Sequence, residues 1–352
     1  MNPIKVAVIG CGTIANAAHL PAYQNNPLAE LAYVCDIIPE RAEAAKAKYG
    51  ATKAVLDYHE ILADASVQAV SLCVPNYLHA PLAIDCLNAG KHVLCEKPAS
   101  VSYELAVSMK EAADRNGRIL NIGVVNRFNT AVNRIKKMID DGDLGRVYHV
   151  YCSFRSHRSI PGLGGPFTRK DMAGGGVLID WGVHFLDLIF YCIGGPKPLT
   201  VSGETHSVLG VDMPGYTYSS MWAGPPDYNG VYDVEDFVTG LVRTEGPTIS
   251  LNGAWAQNIG ENQMYIEFLG SKGGVKLQYG GDFVFYSAKD GAMSETKYQY
   301  TTQDMFYEEL DAFLHCVGSG ERIRSNIDHA LVTSQVMDAL YRSAQEKKEI
   351  TL

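Results

Sequence analysis

The hexapeptide Gly10-Cys11-Gly12-Thr13-Ile14-Ala15 constrains this chain more than any other segment. It joins a β-branched run, Ile4–Ile9, to a helical stretch, Ile14–Gln24. In a G-x-G-x-x-A turn the first glycine permits a tight reversal, and the second lets bare backbone approach a pyrophosphate. The helix beyond adds N–H groups without intrahelical acceptors and the positive end of its dipole, both suited to an anion. A strand before the turn and a helix after it separate a dinucleotide fingerprint from an ordinary glycine-rich turn. Gly10, Cys11, Gly12, Thr13 and Ile14 are therefore candidate cofactor contacts.

The rest of the first 124 residues agrees with that reading. Strand-like runs at Ala29–Cys35, Ala69–Val74, His92–Cys95 and Ile119–Ile122 alternate with helical stretches at Pro39–Tyr49, Leu78–Ala89 and Ser102–Asn116. Such alternation predicts a doubly wound, parallel α/β sheet of the Rossmann type. Its strands lack polar alternation, as expected when helices cover both faces. Residues 125–352 differ in style. A helix (Thr130–Asp140), a long strand (Val147–Phe154), a Gly/Pro-rich loop (Ile160–Gly176) and a further helix lead into strand-rich sequence up to Tyr300. Two helices, Met305–Val317 and Ile327–Glu346, close the chain. The expectation is an α+β domain with a large, mostly antiparallel open sheet, whose last helices pack back on the first domain.

Composition excludes several classes. With 352 residues, 47% hydrophobic and 20% charged, the chain is long enough for two domains and apolar enough to fold without staples. A net charge of −9 without a dense Lys/Arg block argues against nucleic acid or an anionic membrane as partner. The apolar stretch Val183–Ile193 is too short to cross a bilayer. No export signal is visible at the N-terminus, and eight scattered cysteines without C-x-x-C read as free thiols, so a cytoplasmic location is expected. His92/Cys95 and His149/Cys152 lie three apart in strands, where alternation sends them to opposite faces; no metal site is expected.

Four further motifs carry chemistry. Asp36, with Ile37 beside it, ends the second strand 26 residues after Gly10. A carboxylate there accepts from the adenine-ribose hydroxyls and repels a 2′-phosphate, which favours NAD over NADP; a strand-end turn is the plain alternative. Val74-Pro75-Asn76-Tyr77-Leu78-His79 follows the next strand at the same sheet edge. Asn76 is either a helix cap or a cofactor contact, and His79 is either a contact or a helix-surface residue. Glu96-Lys97-Pro98 follows the strand after that. A partly desolvated lysine at such a mouth can hydrogen-bond a substrate oxygen. Finally, Asp180 and His184 lie four apart after Gly174-Gly175-Gly176, on one face of a helix. An acid can orient an imidazole there and tune it for proton transfer near neutrality.

Taken together, G-x-G-x-x-A, P-N-x-x-H, E-K-P and G-G-x-x-x-D-x-G-x-H resemble the Gfo/Idh/MocA family of nicotinamide-dependent sugar and polyol oxidoreductases, an inositol dehydrogenase-like pattern spanning the whole chain. The resemblance implies catalytic roles for Lys97, Asp180 and His184, with Lys97 and His184 able to exchange roles. It implies cofactor contacts at Asp36, Glu96, Lys97 and Asn126, the last in Asn126-Arg127-Phe128. The implied activity is hydride transfer between a ring secondary alcohol and nicotinamide, in a homodimer or homotetramer. Lys97, Arg127, Arg155, His157, Asp180 and His184 are the candidate substrate contacts. A glycosidase with transient NAD redox and a non-catalytic NAD sensor are the competing readings.

Overall fold

The structure, a computed structural model, describes residues 3–218, 221–301 and 303–352. It divides into two compact units, residues 1–128 with 304–331, and residues 129–303 with 332–352. The first unit thus takes in the Asn126-Arg127-Phe128 turn, which the expected boundary at 124/125 placed in the second, and also the helix Met305–Ser319.

The first unit is built on six strands: β1 (Ile4–Ile9), β2 (Ala29–Cys35), β3 (Lys53–Val55), β4 (Ala69–Leu72), β5 (His92–Glu96) and β6 (Leu120–Gly123). All pairings are parallel, in the order β3-β2-β1-β4-β5-β6. The direction of growth reverses at β1/β4, where the fold opens a crevice at the carboxyl ends of the strands. β1, β4 and β5 are almost wholly buried, because helices pack on both faces and fill them with Val, Ile, Leu and Ala. The helix expected over Ile14–Gln24 is split into a π turn at Ala15–His19 and an α-helix at Leu20–Asn25.

The second unit carries a nine-stranded sheet: β7 (Val147–Arg155), β8 (Pro198–His206), β9 (Phe237–Thr244), β10 (Thr248–Ala254), β11 (Gln263–Gly270), β12 (Gly273–Gln278), β13 (Phe283–Lys289), β14 (Ala292–Tyr298) and β15 (Ile350–Thr351). It runs β14-β13-β12-β11-β7-β10-β9-β8-β15, antiparallel except where β7 pairs with β10. Val150, Cys152 and Phe154 of β7 face a core shared with the helix Val183–Cys192, and the Phe154 and Phe185 rings lie 5.0 Å apart. The longer run Lys170–Cys192, 23 residues, is long and apolar enough to span a membrane by length and composition. Its most apolar window is 83% buried, so it is the core helix of this unit.

Candidate active site

At the end of β1 the backbone of Gly10 takes φ +91°, and a Cβ there would lie 2.2 Å from the Cys73 carbonyl oxygen. Only glycine fits. Around Gly12, by contrast, a Cβ would meet nothing within 4 Å, so this backbone faces open space. Asn16 Nδ2 donates to the carbonyls of Cys11 and Gly12 at 2.8 and 2.9 Å, fixing the turn from the helix side. Asp36 fixes it from the other: Oδ2 accepts from Cys11 N–H at 2.8 Å and Oδ1 from Ile38 N–H at 2.9 Å. A carboxylate has about four acceptor positions, so each oxygen keeps capacity for a ribose hydroxyl. Thr13 and Ile37 are exposed, Ile37 by 88%, leaving an apolar side chain beside the acidic one. Open backbone at Gly12 and a braced carboxylate at Asp36 fit a dinucleotide, with Gly10 to Ile14 at its phosphates and Asp36 and Ile37 at its adenosine.

The next two strand ends are tied together by His79. The ring is fully buried; Nδ1 lies 2.7 Å from the Pro98 carbonyl and Nε2 2.9 Å from that of Val74. Burial lowers its pKa, against the pull of these two carbonyls. The cofactor contact assigned to His79 from sequence is therefore corrected: with both nitrogens on backbone, it braces the Val74-Pro75 turn against the Lys97-Pro98 turn, which contains a cis peptide. Asn76 opens a 3₁₀ turn (Asn76–Leu78), and Leu78 holds the N-cap position of the helix beginning at His79, so Asn76 is not that helix's cap.

Lys97 is half-buried, and its amide donates to Glu96 Oε2 at 3.1 Å. The other oxygen of Glu96 meets His19 Nε2 at 2.9 Å. Burial pushes the Glu96 carboxyl up, but His19 and the Lys97 charge outweigh it and hold it below the ordinary value. Gly123 makes room, since a Cβ there would stand 3.2 Å from the carboxyl group. Asn126 is buried. Arg127 is also buried, 2% exposed, and donates to the Arg324 carbonyl at 2.8 Å, while the Arg324 guanidinium lies over the Phe128 ring.

In the second unit, Asp180 lies in a π turn, Leu178–Gly182, that runs into the helix Val183–Cys192 bearing His184. The sequence had implied one regular α-helix; the widened turn is the difference, and such turns recur at functional sites. Asp180 is buried and His184 half-buried. Arg155 alternates with Phe154 along β7, so it points to the face opposite this helix, where Nε donates to Ser153 Oγ and Nη2 to Gln263. This removes Arg155 from the residues grouped with Asp180 and His184. His157 is exposed, its amide held by Asn262 Oδ1 at 2.9 Å. Among the described residues no cluster of three or more His, Cys, Asp or Glu is placed to hold a metal ion.

Sequence reasoning missed His19, Glu235 and Tyr341. His19 sits nine residues after Gly10 among the apolar residues Ala15, Ala17, Ala18 and Leu20, a signal present in the sequence. Glu235 and Tyr341 have none.

Comparison with known proteins agrees with both halves. Residues 4–124 match the NAD-binding Rossmann-fold domain of the Gfo/Idh/MocA oxidoreductases, and residues 132–276 match the C-terminal domain of the same group. The D-glucoside 3-dehydrogenase of Escherichia coli (strain K12) is 29% identical over 100% of this chain and 98% of its own. The inositol 2-dehydrogenase of Rhizobium meliloti (strain 1021) is 26% identical, covering 99% of each chain. Among solved structures, a levoglucosan dehydrogenase in complex with NADH and levoglucosan superimposes with a TM-score of 0.86 at 21% identity, covering 99% of both chains, and shares the fold.

Proposed function

Because this chain belongs to the Gfo/Idh/MocA oxidoreductase family, whose two domain models together cover most of it, we propose that it oxidises a ring secondary hydroxyl of a neutral glycoside, hexose or cyclic polyol with NAD. It is an enzyme, a dehydrogenase, and its Rossmann unit is an NAD-binding one. The observation that carries the substrate class is that both full-length relatives bear names specifying one numbered position of a polyhydroxy ring compound.

The roles of the side chains are those the family resemblance implies. Lys97 donates a hydrogen bond to the reacting oxygen and stabilises the charge that develops as its proton leaves. His184 takes that proton, and Asp180, on the same helical segment, sets the orientation of the imidazole. Lys97 and His184 can exchange these parts, since each can hold a proton at that oxygen. A bound nicotinamide would supply the hydride acceptor for the carbinol carbon. The neutral character of the substrate is supported by the disposition of the basic residues after β7. Arg155 is turned to the far face and bonded to Ser153 and Gln263, and Arg169 pairs with Asp171, so neither is gathered into a phosphate clamp. A cytoplasmic location and the absence of nucleic-acid and membrane partners belong to the same proposal, supported by the acidic charge of −9 and eight free cysteines, and a homo-oligomeric state joins them on the large sheet of the second unit and the family resemblance.

The test is formation of reduced nicotinamide with a panel of glycosides, hexoses, inositols, sugar phosphates and uronates. Activity with neutral members is expected. Activity confined to phosphorylated or acidic sugars would overturn the neutral class, and glycoside cleavage without net reduced nicotinamide would favour transient oxidation and re-reduction.

A further inference from the structure

Two of the three glycines before Asp180, Gly175 and Gly176, make room for neighbours inside the second unit. A Cβ at Gly175 would lie 2.0 Å from Tyr341 Oη, and one at Gly176 would lie 1.9 Å from the Glu235 carbonyl oxygen. The bare backbone is what lets these two residues close on the start of the helical segment. Glu235 is buried, and its carboxylate is fully engaged there. Oε2 accepts from Gly176 N–H at 2.8 Å; Oε1 accepts from Leu178 N–H at 3.0 Å and from Tyr341 O–H at 2.8 Å.

The backbone of Glu235 takes part as well. Val177 N–H donates to the Glu235 carbonyl at 3.2 Å, and the carbonyl of that same peptide, from Gly176, accepts the Asp180 amide at 3.0 Å. One peptide plane therefore links Glu235 to Asp180. The anchor is itself immobile. Asp236, the next residue, is buried and accepts from the amides of Val208, Leu209 and Gly210, while its own carbonyl takes Trp255 N–H at 2.9 Å. A carboxylate on the first amides of a helical segment satisfies donors that have no intrahelical partner and complements the positive end of the dipole.

We propose that Glu235, oriented by Tyr341, is a positioning residue for proton transfer, holding the turn that carries Asp180 and hence the Asp180–His184 pair in register. The inference rests on the proton-transfer role of those two residues. Burial raises the Glu235 carboxyl above its ordinary pKa, while the amides of Leu178 and Gly176 pull it back. Sub-ångström placement matters for proton transfer far more than for substrate binding.

The test uses the full chain with NAD bound, comparing Glu235→Gln, Tyr341→Phe and wild type. Glu235→Gln turns an amide N–H toward backbone donors and should lower kcat about 10–100-fold with KM changed less than about threefold. Tyr341→Phe removes one of three donors and should lower kcat by a smaller factor. Hydrogen exchange gives the readout that does not need turnover: the Asp180 amide should exchange faster in both variants, with the Rossmann unit unchanged. Wild-type kcat and unchanged Asp180 exchange in Glu235→Gln would overturn the proposal. So would equal losses in kcat, KM and thermal midpoint in both variants, the mark of a general packing role. If wild type itself turns over no sugar, the functional reading fails, while the exchange measurement still decides whether Glu235 holds the turn.

Discussion

His19 Nε2 lies 2.9 Å from Glu96 Oε1 across 77 residues of sequence, and the imidazole is completely buried. The pair sits directly behind Lys97, whose amide occupies the second Glu96 oxygen. Because His19 and Lys97 hold the Glu96 carboxyl below its ordinary value of 4.5, the unfolded chain binds the extra proton as pH falls. The stability it contributes is present above that value and lost as pH falls through the folded one. Glu96→Gln should cost about 1–3 kcal/mol at neutral pH and less in acid. Urea unfolding at both pH values checks this; equal losses at the two would contradict it.

Asp36 acts on both the glycine turn and the cofactor. Its charge should make NAD(H) bind at least about tenfold tighter than NADP(H), roughly 1.4 kcal/mol. Asp36→Ser should narrow that ratio and also weaken NAD(H), since Cys11 N–H loses the oxygen at 2.8 Å. Fluorescence titration of both nucleotides measures the ratio. An unchanged ratio would remove Asp36 from cofactor selection.

Lys97→Ala and His184→Ala should each lower turnover by roughly 10²–10⁴-fold. Folding should persist in both, and NAD affinity should change little in His184→Ala. Steady-state kinetics on a confirmed substrate, beside thermal unfolding, separates chemistry from stability. A variant with near-normal turnover has lost the wrong residue.

How far the sequence was legible depends on whether a feature is local. The Rossmann unit was, because β1, β2, β4 and β5 are short, mostly apolar runs spaced by helices, and Gly10 and Asp36 belong to one βαβ pattern. The strand Lys53–Val55 was missed because three residues carry no period. Pro198–His206 was not singled out within the strand-rich half, and Ala292–Tyr298 shows no alternation because nearly every residue of that edge strand is exposed. The four-residue spacing of Asp180 and His184 was readable, although the π turn at Leu178–Gly182 was not. His79 was misassigned since burial, which turned its ring onto two backbone carbonyls, has no signature in a short motif. Glu235 and Tyr341 are 106 residues apart, and no spacing rule joins them.

His92 supplies a separate acid sensitivity at the start of β5. Ile119 N–H donates to its Nδ1 at 3.0 Å, which requires a neutral ring. Burial, then the Arg118 charge, drops the imidazole from 6.5 to about 4. In that window the unfolded chain holds the proton and the folded one does not, so stability falls as pH drops from 6.5 toward about 4. With partial exposure discounted, the effect should be roughly 1–2 kcal/mol. His92→Asn keeps an acceptor but does not titrate, and should flatten the urea midpoint across this range; the same slope in the variant would contradict the assignment.

The central claim is that a ring carbon gives its hydride to the bound nicotinamide. A neutral glycoside or inositol that scores in the substrate panel can be prepared with deuterium on the carbinol carbon and incubated with the protein and NAD. Mass spectrometry of the nicotinamide then reads the transfer directly. One deuterium in the reduced nicotinamide for each ketone formed is the predicted result. Oxidised sugar with no deuterium in the nicotinamide would contradict it.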